Sequence, residues 1–303
     1  MTLAGLSNSS TKSKSHLEVH ELLDRFELLY DDVSELKDLR RAILDKDLSS
    51  IFRLSSAFAI SSNGYLIDEL RKSVLEENQY SILRLLEFYV NKKSLTTLTK
   101  TIKNFPKSNI KDAYSRGQLH SKKWLVSEVE KIGMHLGTVF LCAGWYGTLA
   151  TMLFESEKIH LDKIRSFDID PTCWQIAESI NKPWVMSEWK FKATTQDIHS
   201  INFNEYTYKT LRSDKTEREL FDKPNTVINT SCEHIENWQE WWNKIPNGKL
   251  CILQSNDYFE LPEHINCVKD VSNFKSIAPM ATYLYTGELM LGKYTRYMLI
   301  GIK

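Results

Sequence analysis

The stretch from Val139 to Asp170 constrains this chain more than any other. Four apolar residues, Val139 to Cys142, run into Ala143-Gly144-Trp145-Tyr146-Gly147, a helix-compatible segment follows, and a second apolar run ends at Asp168. A strand, a glycine turn, a helix and an acid about twenty residues on have the spacing of a nucleotide-binding βαβ unit. Gly144 and Gly147 let the backbone approach a ligand closely, and the N-terminus of the following helix offers unpaired N–H groups. A carboxylate at the end of the second strand can accept from both ribose hydroxyls, so Asp168 suits a ribose. Asp170 reads instead as a helix cap, because Pro171 can take the first helical position. Cys142 and Ala150 occupy the outer positions of a dinucleotide fingerprint. Only G-x-x-G remains, which suits a ligand without phosphates and places an NAD-linked oxidoreductase third among the readings.

Downstream of Asp168 the pattern alternates. Pro171 to Ile180 predicts a helix, WKFKATTQD a strand reaching Asp197, TVINTS a strand, NWQEWWNKI a helix and KLCILQS a strand. Such alternation is the signal for a parallel sheet covered on both faces. The last two strands are expected around INCVKDV and RYMLIGI, with a Tyr- and Met-rich insert between them.

Upstream the composition changes near Pro106. All seven prolines, counting Pro106, and all eight tryptophans lie at or beyond it, and only Gly5 and Gly64 precede it. Two domains are the simplest account. Residues 1–15 are Ser-, Thr- and Lys-rich and read as a disordered tail. Over 16–105 apolar residues recur at three and four positions, as in Leu22, Leu23, Phe26, Leu29, Tyr30 and Val33, which predicts an α-helical N-terminal domain. The α/β domain then spans 106–303.

Composition excludes some classes. Lys+Arg and Asp+Glu are both 39, so there is no strong nucleic-acid signal. No apolar run reaches the ~18 residues of a membrane span, and MTLAGLSNSSTKSKSH lacks a signal-peptide core. A soluble cytoplasmic protein with no membrane partner is expected. The five cysteines form no C-x-x-C pair, which suits reduced thiols rather than zinc. His16 and His20 in HLEVH stand one helical turn apart without an evident third ligand, so no metal is expected.

The chain resembles the class I S-adenosylmethionine-dependent methyltransferases from about Tyr114 to Lys303. The features that carry the resemblance are the degenerate glycine motif at Ala143 to Gly147, Asp168, Asp197 in TTQDIHS, the strand TVINTSCEHI, and IPNGKLCILQS, which is similar to the family's proline-glycine turn into its fifth strand. The resemblance implies a Rossmann-like, mostly parallel sheet with an antiparallel C-terminal edge hairpin. It also implies S-adenosyl-L-methionine as cofactor and methyl transfer to a small molecule, protein or RNA. Two positions depart from the pattern: Leu141 replaces the usual acid of the first strand, and Ala143 the usual first glycine. These departures motivate a second reading, a methyltransferase-like structural or assembly module. The C-terminal LGKYTRYMLIGIK resembles small proteins of tailed phages, in which case the compartment is the host cytoplasm.

The resemblance also assigns residues. Ala143, Gly144, Trp145, Tyr146, Gly147, Asp168, Ile169, Asp197, Ile198 and Ser231 are expected to bind the cofactor, with Asp197 accepting from the adenine amino group. Tyr114, Arg116 and Lys122 are candidates for its methionine end, and Tyr283, Tyr285 and Tyr294 in the insert for substrate contacts. After the fourth strand, His234 is a candidate general base, and Glu233 a candidate to orient it or bind the substrate's charge. Cys232 lacks a preceding proline and reads as packing rather than as a cytosine-methylating thiolate. NTSCEHIE stands where DNA amino-methyltransferases carry an Asp/Asn-Pro-Pro-aromatic loop, so duplex modification is disfavoured. Oligomers could form through the helical N-terminal domain.

Overall fold

A computed structural model describes residues 23–30, 34–58, 93–211 and 216–303, together with 72, 74–76, 78, 82, 83 and 86. The chain divides into two compact units, Met1–His120 and Ser121–Lys303. The composition change at Pro106 lies inside the first.

In the first unit every regular element among the described residues is a helix. Residues 23–29 are helical, followed by α1 (Ser34–Leu44), α2 (Leu48–Phe58), α3 (Lys93–Asn104) and α4 (Ile110–Ala113). Asp47 starts α2 by accepting from the Ser49 and Ser50 N–H groups at 3.1 Å, which satisfies donors that a helix terminus otherwise leaves open. Leu23, Phe26, Leu39, Ile43, Leu95 and Leu98 are buried at the spacing that the sequence periodicity predicts. The expected tail, HLEVH and most of residues 59–92 of the expected helical domain lie outside the described residues.

The helix α5 (Arg116–Ile132) leads into the second unit. The apolar run Thr138–Cys142 forms β1, and the rest follows as α6 (Thr148–Glu155), β2 (Lys163–Asp168), α7 (Cys173–Ile180), α8 (Lys182–Met186) and β3 (Phe191–Thr195). Then come β4 (Tyr206–Leu211), β5 (Glu217–Asp222), β6 (Thr226–Asn229), α9 (Trp238–Lys244), β7 (Leu250–Asn256), α10 (Val271–Ile277), β8 (Thr282–Met290) and β9 (Thr295–Ile302). Seven strands form one sheet in the order β3-β2-β1-β6-β7-β9-β8. The five from β3 to β7 pair in parallel, while β9 runs antiparallel to both β7 and β8. This is the Rossmann-like sheet with an antiparallel C-terminal edge that the sequence predicts.

Every residue of β1, β6 and β7 is buried, as expected of strands covered on both faces. One face packs Leu141, Ile228 and Ile252 against Leu125 and Val129 of α5 and Leu149 and Leu153 of α6. The other packs Phe140, Phe167 and Leu253 against Trp238, Trp241 and Trp242 of α9 and Phe274 of α10. The tryptophan set is thus core. Because β2 and β6 flank β1 on opposite sides, the chain order reverses at β1, and an open parallel sheet presents a crevice at the carboxyl ends of such strands. Cys142 and Asn229 are register partners at that edge.

Two expectations need correction. INCVKDV is not a strand: Asp270 accepts from the Asn273 N–H at 2.7 Å and starts α10, and a capped helix leaves no extended segment to pair. The edge hairpin is instead made inside the Tyr- and Met-rich insert, whose TYLYTGELM forms β8. The separate antiparallel pair β4–β5 was also not anticipated. It is anchored by a buried polar cluster in which Asp222 of β5 meets Arg165 of β2 at 2.5 Å, and both bond to the Tyr208 hydroxyl.

Candidate functional site

The glycine turn is held by its own backbone and by the neighbouring strand. The Gly144 N–H donates to the Phe167 carbonyl at 3.0 Å, and the Gly147 N–H to the Gly144 carbonyl at 2.9 Å. Ala143 has φ 53° and Trp145 φ 48°, left-handed values that cost a residue with a Cβ of order 1–3 kcal/mol. The backbone at Ala143 therefore holds a conformation that glycine adopts without this cost. A Cβ at Gly144 would lie 2.0 Å from the Ser166 Oγ, and one at Gly147, whose φ is 70°, would lie 2.7 Å from the Asn181 Nδ2. Asn181 is fully buried and donates to the Gly147 carbonyl at 3.1 Å, while its Oδ1 accepts from Thr151. The loop is thus pinned by Asn181 just past α7, and both glycines are needed because a Cβ would strike a neighbouring side chain. Gly147→Ala is expected to cost the second unit about 2 kcal/mol, from left-handed strain plus displacement of Asn181. Urea unfolding of the two proteins checks this.

Asp168 ends β2 beside the turn. Its Oδ2 accepts from the Trp145 N–H at 2.8 Å, and its Oδ1 from the Asp170 N–H at 3.0 Å. Partial burial pushes its carboxyl above the usual carboxylate range, with the N–H donors of Asp170 and Trp145 opposing that rise. Ile169, the next residue, is 72% exposed. A large apolar side chain standing in water beside a carboxylate is a surface on which a flat ring can pack. At the end of β3, Asp197 is exposed and its Oδ1 caps the short 3-10 helix Ile198–Ser200 by accepting from the His199 N–H at 2.9 Å. Ile198 is buried under that turn. The Gln196 N–H donates to the Asp168 carbonyl at 2.8 Å, so the ends of β2 and β3 form one continuous edge.

On the far side of β1, the end of β6 carries a buried polar cluster. Asn229 is fully buried, and its Oδ1 accepts from the Ser231 N–H at 2.9 Å. Its Nδ2 has no hydrogen-bond partner among the described residues, an arrangement that costs about 1–3 kcal/mol unless an acceptor arrives. Glu233 is buried in the 3-10 helix Cys232–His234, and its Oε1 accepts from Arg296 at 2.9 Å and Asn256 at 2.7 Å. Arg296 also donates to the Thr230 carbonyl at 2.7 Å. These bonds fix the orientation of the Glu233 side chain. His234 is exposed, with its Nδ1 3.0 Å from the Glu263 carbonyl. The Cys232 thiol is buried and its pKa is pushed well above the ordinary thiol value by desolvation, which agrees with a packing role.

The geometry therefore brings together Ala143 to Gly147, Asp168, Ile169, Asp197, Ile198 and Ser231 along one edge of one sheet. Tyr283 and Tyr285 are not on that edge. Tyr283 pairs with Gly301 and Tyr285 with Ile300, and these pair with Cys251 and Ile252 at the start of β7. Because β8 runs with β7, its early residues lie toward the amino ends of the parallel strands, and the Tyr285 hydroxyl accepts from Trp124 at 3.1 Å. Tyr294, by contrast, lies in the β8–β9 turn and stacks on Tyr258 with ring centroids 5.5 Å apart. Lys122 is buried on α5, next to Ser121, which donates to Gln254 at 2.7 Å. Tyr114 and Arg116 fall in the first unit. Asn181, Asn229, Asn256, His264 and Arg296 were not singled out as site residues, because each comes from a different part of the second unit and none belongs to a local motif.

Leu141 is 1% exposed and packs in the core. The position of the family's acid is thus sealed by an apolar side chain.

The chain matches no protein-family profile and no curated protein. Among solved structures it is similar to the N-methyltransferase NodS from Bradyrhizobium japonicum, at 10% identity and TM-score 0.42, over 61% of this chain and 96% of that one. It is similar as well to an S-adenosylmethionine-dependent methyltransferase from Clostridium acetobutylicum, at 10% identity and TM-score 0.39, over 59% and 90%. A third is the magnesium protoporphyrin IX methyltransferase of Synechocystis, solved with bound S-adenosylmethionine, at 12% identity and TM-score 0.37, over 70% and 84%. The fold assignment stands on strand order and register, and the reading of the site on its own geometry.

Proposed function

We propose that the second unit binds S-adenosyl-L-methionine and transfers its methyl group to an acceptor entering at the carboxyl ends of β6 and β7. The observation that carries this reading is Asp168, a half-buried carboxylate at the end of β2 that is held by the N–H of the glycine turn one strand away. Among the described residues no cation acts on the Asp168 carboxylate, and a vicinal diol meets a carboxylate with two donors. The exposed Ile169 gives an apolar bed for a purine. The buried, unpartnered Nδ2 of Asn229 offers a donor at the switch point. Together these fit a nucleoside with a polar, uncharged or cationic tail. When bound, this cofactor supplies an activated methyl group on a sulfonium.

The protein's own residues then have three tasks. Asp168 fixes the ribose, and the turn Ala143 to Gly147 sets the distance of the backbone from the ligand. The edge formed by Asn229 and Ser231 bounds the space into which an acceptor nucleophile is aligned. Methyl transfer from a sulfonium needs chiefly proximity and in-line geometry, worth up to about 7–11 kcal/mol of barrier in favourable cases. The absence of a charge-relay set is therefore no obstacle.

A second reading, a domain that holds the nucleoside without turnover, is favoured by one observation: Leu141 presents a sealed apolar side chain where the family has an acid. Calorimetric titration of the full chain with S-adenosylmethionine and S-adenosylhomocysteine tests the main proposal. One site per chain is expected. No heat and no competition at millimolar ligand would overturn it, while tight binding with no S-adenosylhomocysteine formed against a cell extract would favour the second reading.

A further inference from the structure

Glu233 and two histidines present a set of donor atoms that the methyl-transfer reading leaves unused. One ring nitrogen of His234, one ring nitrogen of His264 and one carboxylate oxygen of Glu233 all lie within 4.8 Å of one another. The three residues come from two places, the 3-10 helix after β6 and the segment between β7 and α10.

The hydrogen bonds around the two imidazoles fix their tautomers. His234 Nδ1 is 3.0 Å from the Glu263 carbonyl, and His264 Nδ1 is 2.9 Å from the Tyr258 carbonyl. A carbonyl only accepts, so each Nδ1 carries its hydrogen, and in the neutral ring Nε2 keeps the lone pair. A backbone acceptor on the second ring nitrogen is how metal-ligating histidines are ordinarily oriented. Glu233 is arranged in the same way: Oε1 takes the bonds from Arg296 and Asn256, while Oε2 is buried with no hydrogen-bond partner among the described residues. Arg296 offsets part of the charge on Glu233, yet it binds the oxygen that faces away from the vacant one, as hydrogen-bonded ligating carboxylates require. The backbone is tied as well, since the Asn266 N–H donates to the Glu233 carbonyl at 2.9 Å, which joins the two segments that supply the ligands.

We propose that Glu233, His234 and His264 form a binding site for one divalent transition-metal ion of the zinc class. Two imidazoles and one carboxylate select a borderline first-row metal over Mg²⁺ or Ca²⁺, which take oxygen ligands. Bonds of about 2.0–2.1 Å place tetrahedral ligand atoms about 3.4 Å apart. Binding therefore draws the three donors, which lie within 4.8 Å of one another, closer together. Three protein ligands leave a fourth position open, as in catalytic rather than structural zinc sites. At the carboxyl ends of β6 and β7, that position faces the side of the sheet where a ligand at the switch point would lie.

The test is Zn²⁺ titration of the full chain against a chromophoric chelator, with Co²⁺ substitution read by its visible d–d absorption. Wild type is expected to bind one ion per chain and to show a four- or five-coordinate Co²⁺ spectrum. His234→Ala and His264→Ala, both at solvent-accessible rings, are each expected to weaken binding by at least about tenfold with unchanged circular dichroism. A double variant, His16→Ala with His20→Ala, is expected to retain it. Wild-type protein that binds no ion, or binding lost with the His16 and His20 pair and kept without His234 and His264, would overturn the proposal.

Discussion

Asp168→Ala is expected to weaken S-adenosylmethionine binding about 100-fold while leaving the unfolding transition close to that of the wild type. Each hydrogen bond from a ribose hydroxyl to an ionised carboxylate contributes about 1.5–3 kcal/mol, and the two together give a loss of at least about 3 kcal/mol. The fold tolerates the change because the carboxylate is not a net stabiliser. Its pKa is raised, chiefly by burial, so folding disfavours the ion, and that cost is present above the unfolded carboxyl pKa. The lost bonds from the Trp145 and Asp170 N–H groups partly offset the gain. Asp168→Asn, which keeps one acceptor oxygen, should fall between. Wild-type affinity should decline on acidification through a pKa above the ordinary aspartate value, and the variants should lack that step. Calorimetry at pH 5 and pH 8 reads all three effects, and equal affinity of Asp168→Ala and wild type would remove Asp168 from the site.

Asp222→Ala is expected to be the most destabilising single change in the second unit, by about 3–5 kcal/mol, because it leaves Arg165 buried without its anion. Arg165 is 3% exposed on the inner face of β2, and its Nε lies 2.5 Å from the Asp222 Oδ2, with Lys163 2.7 Å from Oδ1. Burial alone would raise the Asp222 pKa, but the bond from Lys163, the charge of Arg165 and the Tyr208 hydroxyl outweigh it, and the net direction is down. A depressed carboxyl pKa contributes stability that is present above the unfolded value and lost as pH falls through the folded one. The difference between wild type and Asp222→Ala should therefore be full at neutral pH and shrink below about pH 4. In thermal unfolding the shift should be on the order of 10 °C. Replacing both partners, Arg165→Met with Asp222→Leu, should recover most of the loss, since the desolvation of two charges disappears together with their attraction. A double variant no better than the single one would show that the pair, rather than the orphaned charge, holds β4–β5 in place.

The chemistry of the cofactor edge was legible because it is local. The apolar run to Cys142, the glycines at 144 and 147 and the acid at 168 lie within one βαβ unit, where a turn, a helix start and a strand end follow from neighbouring residues. The IPNGKLCILQS turn and the Trp238–Lys244 helix were legible for the same reason. At the other end of the sheet, period alone did not separate INCVKDV from a strand, because the cap that Asp270 makes is decided by whether the next turn folds onto its side chain.

The linear order of residues by itself determined the sheet type, the place of the glycine turn and the acid that faces it, since these depend on side-chain period and on backbone freedom over a few residues. Only the tertiary structure decided which strand lies at the edge, and hence that Tyr283 and Tyr285 lie toward the amino ends of the parallel strands. It alone also paired Arg165 with Asp222, Glu233 with Arg296, and His234 with His264. Such pairings join groups separated by 30 to 63 positions, and a buried charge or an imidazole lone pair takes its meaning from the partner that folding brings to it.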